Sequence, residues 1–240
     1  MGANEERTDA GAPDGSTAAL EETRAVGRAI RTPRAAALAG IAFSVLFAVA
    51  LVLLHEVVPE DPEDAGQWLA DSSRRGAVVF ALGLVPFAGI AFLWFVGVIR
   101  DRVGDAEDRF FATVFLGSGL LFVAMLFVAA AVAAGVVSVA GDDADRLVAT
   151  GTWAVGRRTV NELMLVYALR MAAVFTLATS TILLRARVAP RWLAVSGYAI
   201  AAMLLLTVGH LPWVELLFPA WVLVLSAHVL VAGWRSGRSA

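Results

Sequence analysis

Arg170 is the residue with the most chemistry to account for. It lies near the middle of residues 160–184, a run apolar enough to cross a bilayer as one helix, with Asn161 and Glu162 at its start. An arginine at such a depth costs roughly 2.5 kcal/mol or more unless it is partnered or reached by water. At 1.5 Å per residue it sits roughly 15 Å from the outer end of the run. Ser44, Ser118, Pro86 and Tyr198 fall within a turn or two of that level. Pro86 removes a backbone donor and frees the carbonyl of Leu82. The expectation is that the Arg170 guanidinium donates to that carbonyl and to Ser44 or Ser118. Glu162 and Glu215 are its other options; Glu162 is eight residues away, so Tyr167 or a water must intervene. Such a layer suits an anionic ligand, a proton path or a lipid-headgroup pocket. The plainer alternative is a cation that ties helices together through carbonyls and snorkels outward.

A second group is expected at the outer end of the spans: His55 and Glu56, Glu162, His210 and Glu215. Two imidazoles with carboxylates have the donor chemistry of a divalent metal site, with His55, His210 and Glu215 as candidate ligands. The donors come from distant parts of the chain and lack HExxH-type spacing, so ordinary interfacial polar residues are the competing reading. Haem needs axial histidines at matching depth. His228 lies deep in the last run while the other two histidines lie at the outer edge, so no cofactor is expected. His228 and Ser226 are expected to form a buried hydrogen-bonded pair. There is no cysteine, which excludes thiolate chemistry and disulfides. There is no lysine either, which excludes Schiff-base and P-loop mechanisms; the all-arginine usage reads as coding bias. No GxSxG, Walker-type loop or paired intramembrane aspartate occurs, so an enzyme is disfavoured.

The elements that must position these residues are membrane spans. Hydrophobic residues make up 59% of the 240 and charged residues 17%, against about 45–50% and about 25% in soluble domains. The excess is concentrated in six runs: 35–54, 76–99, 110–135, 160–184, 192–208 and 213–231. A span needs about 20 residues, with about 17 as a lower limit. The fifth run is marginal, and with the sixth it forms either two spans or one shallow hairpin. Trp192, Trp213 and Trp234 fall where interfacial aromatics belong, which favours two spans. The fold class is an all-α integral membrane protein, a six-transmembrane-helix bundle. Residues 1–34 form a disordered tail with a basic juxtamembrane end, 35–234 the transmembrane domain and 235–240 a short C-terminal tail. Thirteen arginines fall on the side of both termini and five on the other, with Arg170 between them. The positive-inside rule therefore places the N and C termini in the cytoplasm.

Arg24, Arg28, Arg31 and Arg34 share one helix face and read as an anchor for anionic lipid headgroups. No aromatic residues interleave them, and no nucleic-acid partner is expected. Residues 61–64 read as the start of a short outer helix through Trp68 and Leu69 that ends at Arg74 and Arg75. A similar surface helix is expected over 142–153, with Leu147, Val148 and Trp153 on its apolar side. Gly104 and Asp105 read as caps of the inner turn. Small residues mark helix contacts in lipid. They recur four apart at Ala36, Gly40, Ser44 and Ala48, and again at Ala168, Ala172, Thr176 and Ser180. Gly83 and Gly97 share a face of the second run, and Gly89 points elsewhere. Since glycine is costly in a helix, Gly83 and Gly97 are expected to meet a neighbouring span.

The segments FLWFVGVIRDR at 92–102, RFF at 109–111 and PRWL at 190–193 are where the chain resembles a group of uncharacterised bacterial multi-pass membrane proteins, a domain-of-unknown-function family. The resemblance implies a six-span bundle in the bacterial cytoplasmic membrane and carries no activity and no site residues. The function expected first is a structural or accessory membrane component. Its partners are the lipid bilayer and, as a homo-oligomer or otherwise, other membrane proteins. The alternatives are a small-solute or ion transporter using the Arg170 layer, and a metal-dependent membrane enzyme using the outer cluster.

Overall fold

The computed structural model of the chain describes residues 33–59, 67–103, 109–186, 189–206 and 213–236. Among these, every regular element is helical. In chain order they are α1 (Pro33–Val57), a 3₁₀ turn (Gln67–Ala70), α2 (Ser72–Val103), α3 (Arg109–Ala149) and α4 (Thr152–Asn161). Then come a π-helical segment (Glu162–Ala168), α5 (Leu169–Ala186), α6 (Arg191–Leu206), a second 3₁₀ turn (Val214–Leu216) and α7 (Leu217–Ser236). α4, the π segment and α5 form one continuous rod, Thr152–Ala186. Five helices are long and apolar enough to cross a bilayer: Arg34–Val57, Ser72–Arg100, Phe110–Ala149, Thr152–Ala186 and Val214–Val231. α6 is apolar, and its described part is 16 residues, or about 24 Å against a hydrocarbon core of about 30 Å.

The bundle is built around a cluster of phenylalanines. α1 supplies Phe43 and Phe47, α2 Phe92, α3 Phe115 and Phe122, α5 Phe175 and α7 Phe218. Phe92 lies 4.7 Å from Phe43, 5.0 Å from Phe175 and 5.2 Å from Phe122 between ring centroids. Phe218 meets Phe122 at 5.0 Å, and Phe115 stacks on Phe175 at 4.8 Å. These are the tilted, edge-to-face and offset geometries that ring quadrupoles favour. Apolar side chains also cover the outside: Phe80, Phe87, Trp94 and Val195 are more than half exposed. A water-facing surface rarely carries so continuous an apolar cover.

Small residues set the closest approaches. Gly40 of α1 lies against Ser226 of α7 and Phe95 of α2. Gly197 of α6 lies against Ser180 of α5 and Trp221 of α7, and Gly89 of α2 against Phe127 of α3. A Cβ at any of these would come within 2.5 Å of a side-chain atom. Ala168, Ala172, Thr176 and Ser180 are all buried, as their four-residue spacing implied. Gly83 and Gly97 are different. Both are exposed and a Cβ on either would meet nothing within 4 Å. The expectation that they meet a span of this chain is overturned. Val85, Ala88, Phe92, Phe95 and Val96 turn the opposite side of α2 into the core.

A second, smaller core closes one end. Trp68 and Leu69 of the first 3₁₀ turn pack with Val78 and Leu82 of α2, Val137, Ala140 and Leu147 of α3, and Trp153 of α4. The two indoles meet edge to face at 5.5 Å. Arg74 and Arg75 do not end a short helix as expected; they lie in the first turn of α2. Asp71 is the reason, because its Oδ1 accepts from the backbone N–H of Ser73 at 2.8 Å and starts α2 there. The expected surface helix over 142–153 is present in part, as a separate helix that follows a kink in α3 at Asp143 and ends at Ala149, while Trp153 falls in α4. Asp143 has an extended backbone (φ −155°, ψ 84°), and its carboxylate accepts from Arg146 N–H at 2.9 Å. Leu147 and Trp153 are buried there, and Val148 half-buried. Gly151, at φ 71°, turns the chain into α4. The acidic stretch 61–64, the turn at Gly104 and Asp105, and the arginines at 24, 28 and 31 lie outside the described residues.

Candidate functional site

α1 and α7 run antiparallel, with Gly40 against Ser226 at one end and His55 against Glu215 at the other. His55 ends α1, and Glu215 sits in the 3₁₀ turn that opens α7. Their closest atoms, Nε2 and Oε1, are 3.3 Å apart, with the side chains 20% and 11% exposed. The His55 ring also stacks on Trp213 at 4.5 Å, tilted by 24°. Trp213 holds a left-handed backbone (φ 66°), a conformation costly for any residue with a Cβ. That turn aims the indole at His55 and brings Glu215 down beside it. Two of the three expected metal donors are thus brought together, and the third, His210, lies outside the described residues. Among the described residues no three potential ligands gather. Glu56 and Glu162 belong to the same end but are exposed to the outside.

Arg170 sits where the π segment returns to α-helix. The N–H of Leu169 reaches back five residues to the carbonyl of Met164, which is the widened register of a π turn. The guanidinium of Arg170 donates through Nη1 to the carbonyl of Val166 at 2.8 Å. The expected partners are not used. Ser44 donates to the Gly40 carbonyl at 2.8 Å, and Ser118 to the carbonyls of Val114 at 2.7 Å and Phe115 at 3.2 Å. Pro86 is exposed, on the side of α2 turned away from the core. The physical reason is local. A hydroxyl on a helix in a medium without water finds the carbonyl four residues back always within reach. Thr176, Thr179 and Ser180 do the same, at 2.7–2.8 Å. These hydroxyls are therefore closed onto their own helices and are not recruited by Arg170. Tyr167 is half-exposed one turn from Arg170.

Ser226 departs from that rule. Its hydroxyl is fully buried against Gly40 and has no hydrogen-bond partner among the described residues. The expected pair with His228 is therefore not formed, because residues two apart on a helix point to different sides. Tyr198 instead meets Thr181 across the α5–α6 contact at 2.8 Å. Trp221 Nε1 donates to the Leu193 carbonyl at 3.3 Å, which ties α7 to the start of α6.

Three features escaped the sequence reading. The phenylalanine hub has no fixed spacing, since its members come from five helices. The His55–Trp213 stack joins positions more than 150 residues apart. Arg157 lies on the second core. It donates to the Pro59 carbonyl at 2.8 Å with its guanidinium 6.0 Å from the Trp153 ring. Its only trace in the sequence is its spacing, four residues after Trp153. Comparison of the chain with protein-family models, with curated proteins and with solved structures finds no match in any of the three.

Proposed function

We propose that the chain is a six-span integral protein of a bacterial cytoplasmic membrane, with both termini on the cytoplasmic side, and that it works as a structural or accessory component. The observation that carries this reading is the filled centre. Phenylalanine rings from α1, α2, α3, α5 and α7 interlock there, and the neighbouring hydroxyls are closed onto their own helices. A transport path needs polar groups turned to a common axis, and this centre offers rings. The arginine distribution supports the orientation.

Because the chain has no cysteine, the test has a clean background. Single cysteines at Ser118, Thr176, Asp145 and Arg185 would be exposed to a membrane-impermeant maleimide in intact cells. Reaction at Asp145 alone is expected. Labelling at Ser118 or Thr176 would indicate a wet path and overturn the structural reading. Labelling at Arg185 would reverse the orientation.

A metal-dependent membrane enzyme is the second reading, supported by the approach of His55 to Glu215. Stoichiometric zinc, copper or iron in protein purified without added metal, lost in His55→Ala, would favour it over the first.

A further inference from the structure

Arg170 carries a positive charge that the described residues leave without a carboxylate. Glu215, one of its expected partners, lies beside His55, and Glu162 is exposed two turns away on the same rod. A guanidinium has five N–H donors, and here one bond runs to Val166. Its level can be read from the hub. Phe175 lies in the phenylalanine layer, and Arg170 is five residues nearer the His55 end, or about 7.5 Å. Val166 is nine residues nearer, or about 13.5 Å, close to the edge of a hydrocarbon core about 30 Å thick. The hydrogen bond to Val166 thus draws the guanidinium outward along its own helix, towards the depth at which lipid phosphates begin.

The surroundings are those of a lipid, not of a soluble anion. Tyr167, 56% exposed, stands on the same face one turn further out, with its hydroxyl at the interfacial level where tyrosine is favoured. On the inner side, the same face continues through Val174, half-buried, to Leu177, 38% exposed. α6 flanks this face in antiparallel register, with Thr181 against Tyr198 and Ser180 against Gly197. By that register its last described residue, Leu206, falls at about the level of residue 172.

We propose that Arg170 and Tyr167 hold the phosphate of a phospholipid in the leaflet at the His55 end, with its acyl chain lying along Val174 and Leu177. The phosphate supplies the counter-charge that the described residues do not, and its oxygens accept from the guanidinium N–H groups left by the Val166 bond and from the Tyr167 hydroxyl. This inference rests on the membrane reading above.

The test uses the full chain, stripped of lipid in a maltoside detergent. Thermal unfolding would be followed while dihexanoyl-phosphatidylglycerol, dihexanoylglycerol or inorganic phosphate is added. The phosphatidylglycerol is expected to raise the unfolding temperature of the wild type by several degrees, and the other two to leave it unchanged. Arg170→Gln should lose that response. Tyr167→Phe, a change at an exposed position that leaves the fold intact, should need roughly tenfold more lipid to reach the same shift. An equal response to dihexanoylglycerol would overturn the phosphate contact, and an equal response to inorganic phosphate would overturn the lipid. A full response in both variants would overturn the site. Protein that stays monodisperse without detergent would fail the membrane reading itself; a detergent-requiring protein indifferent to all three additives would fail this proposal alone.

Discussion

His55, Trp213 and Glu215 form a half-closed polar contact that single substitutions can probe. Glu215 is 9% exposed and faces the His55 imidazole, so removing the imidazole leaves its carboxylate in a nearly closed space. A buried polar group that loses its partner costs about 1–3 kcal/mol. His55→Ala should therefore lower the unfolding midpoint in detergent, whereas Glu56→Ala, exposed one residue beyond His55, should leave it unchanged. If the two variants unfold alike, the contact contributes nothing. A double-mutant cycle of His55→Ala with Glu215→Ala would give the coupling directly. Asp71 offers a second residue-scale test. Its carboxylate starts α2, and Asp71→Ala should cost about 1 kcal/mol, visible as faster amide exchange in the first turn of α2 than in the wild type.

Between elements, the decisive quantity is how closely two backbones approach. Gly197 has Ser180 Oγ 2.0 Å and a Trp221 ring carbon 2.8 Å from where a Cβ would stand. Gly197→Ala should destabilise by about 1–3 kcal/mol, the usual cost of overpacking. Adding Ser180→Gly should recover part of that loss, and no recovery would mean that the α5–α6 contact is set elsewhere. Gly83 and Gly97 have open space where Gly197 has a clash. Gly83→Ala and Gly97→Ala should be neutral or stabilising by up to about 1 kcal/mol, the helix-propensity difference, when thermal unfolding is measured. In the hub, Phe92→Ala removes a ring that touches neighbours on four other helices. A loss of about 3–5 kcal/mol is expected, read as a large drop in the yield of folded protein, with Phe92→Leu partly restoring it.

At the scale of the whole molecule, two cores divide the work. The phenylalanine hub joins five helices near mid-bundle, and the smaller tryptophan-centred core closes the His55 end with the first 3₁₀ turn and the bend of α3. Much of the large apolar surface faces outward, so extraction should require detergent at every stage. α6 is the weakest member. It packs mainly on α5 and touches α7 through Trp221 and Gly197. Hydrogen exchange in detergent should therefore be faster in α6 than in α1 or α5, and equal protection would show that its few neighbours hold it as firmly.

The apolar runs were legible in the sequence because a chain without water must satisfy its backbone internally, and long uncharged stretches leave helix as the solution. Their helical character, the buried stripe from Ala168 to Ser180 and the shared level of His55 and Glu215 could be read from composition, four-residue spacing and depth. Three things needed the tertiary structure. Gly83 and Gly97 were placed on one face correctly, but which face turned inward was decided by the larger side chains on the opposite side of α2. Arg170 could be given a depth but not a partner, because its own helix offered a carbonyl at Val166 before any neighbour could. The hub at Phe92 was invisible, since rings from five helices meet only after packing and carry no period along the chain. Sequence alone determined that this chain is a set of apolar helices carrying a charge at depth; packing alone decided what each face meets, because contacts between helices depend on rotation about their axes, which a run of apolar residues leaves free.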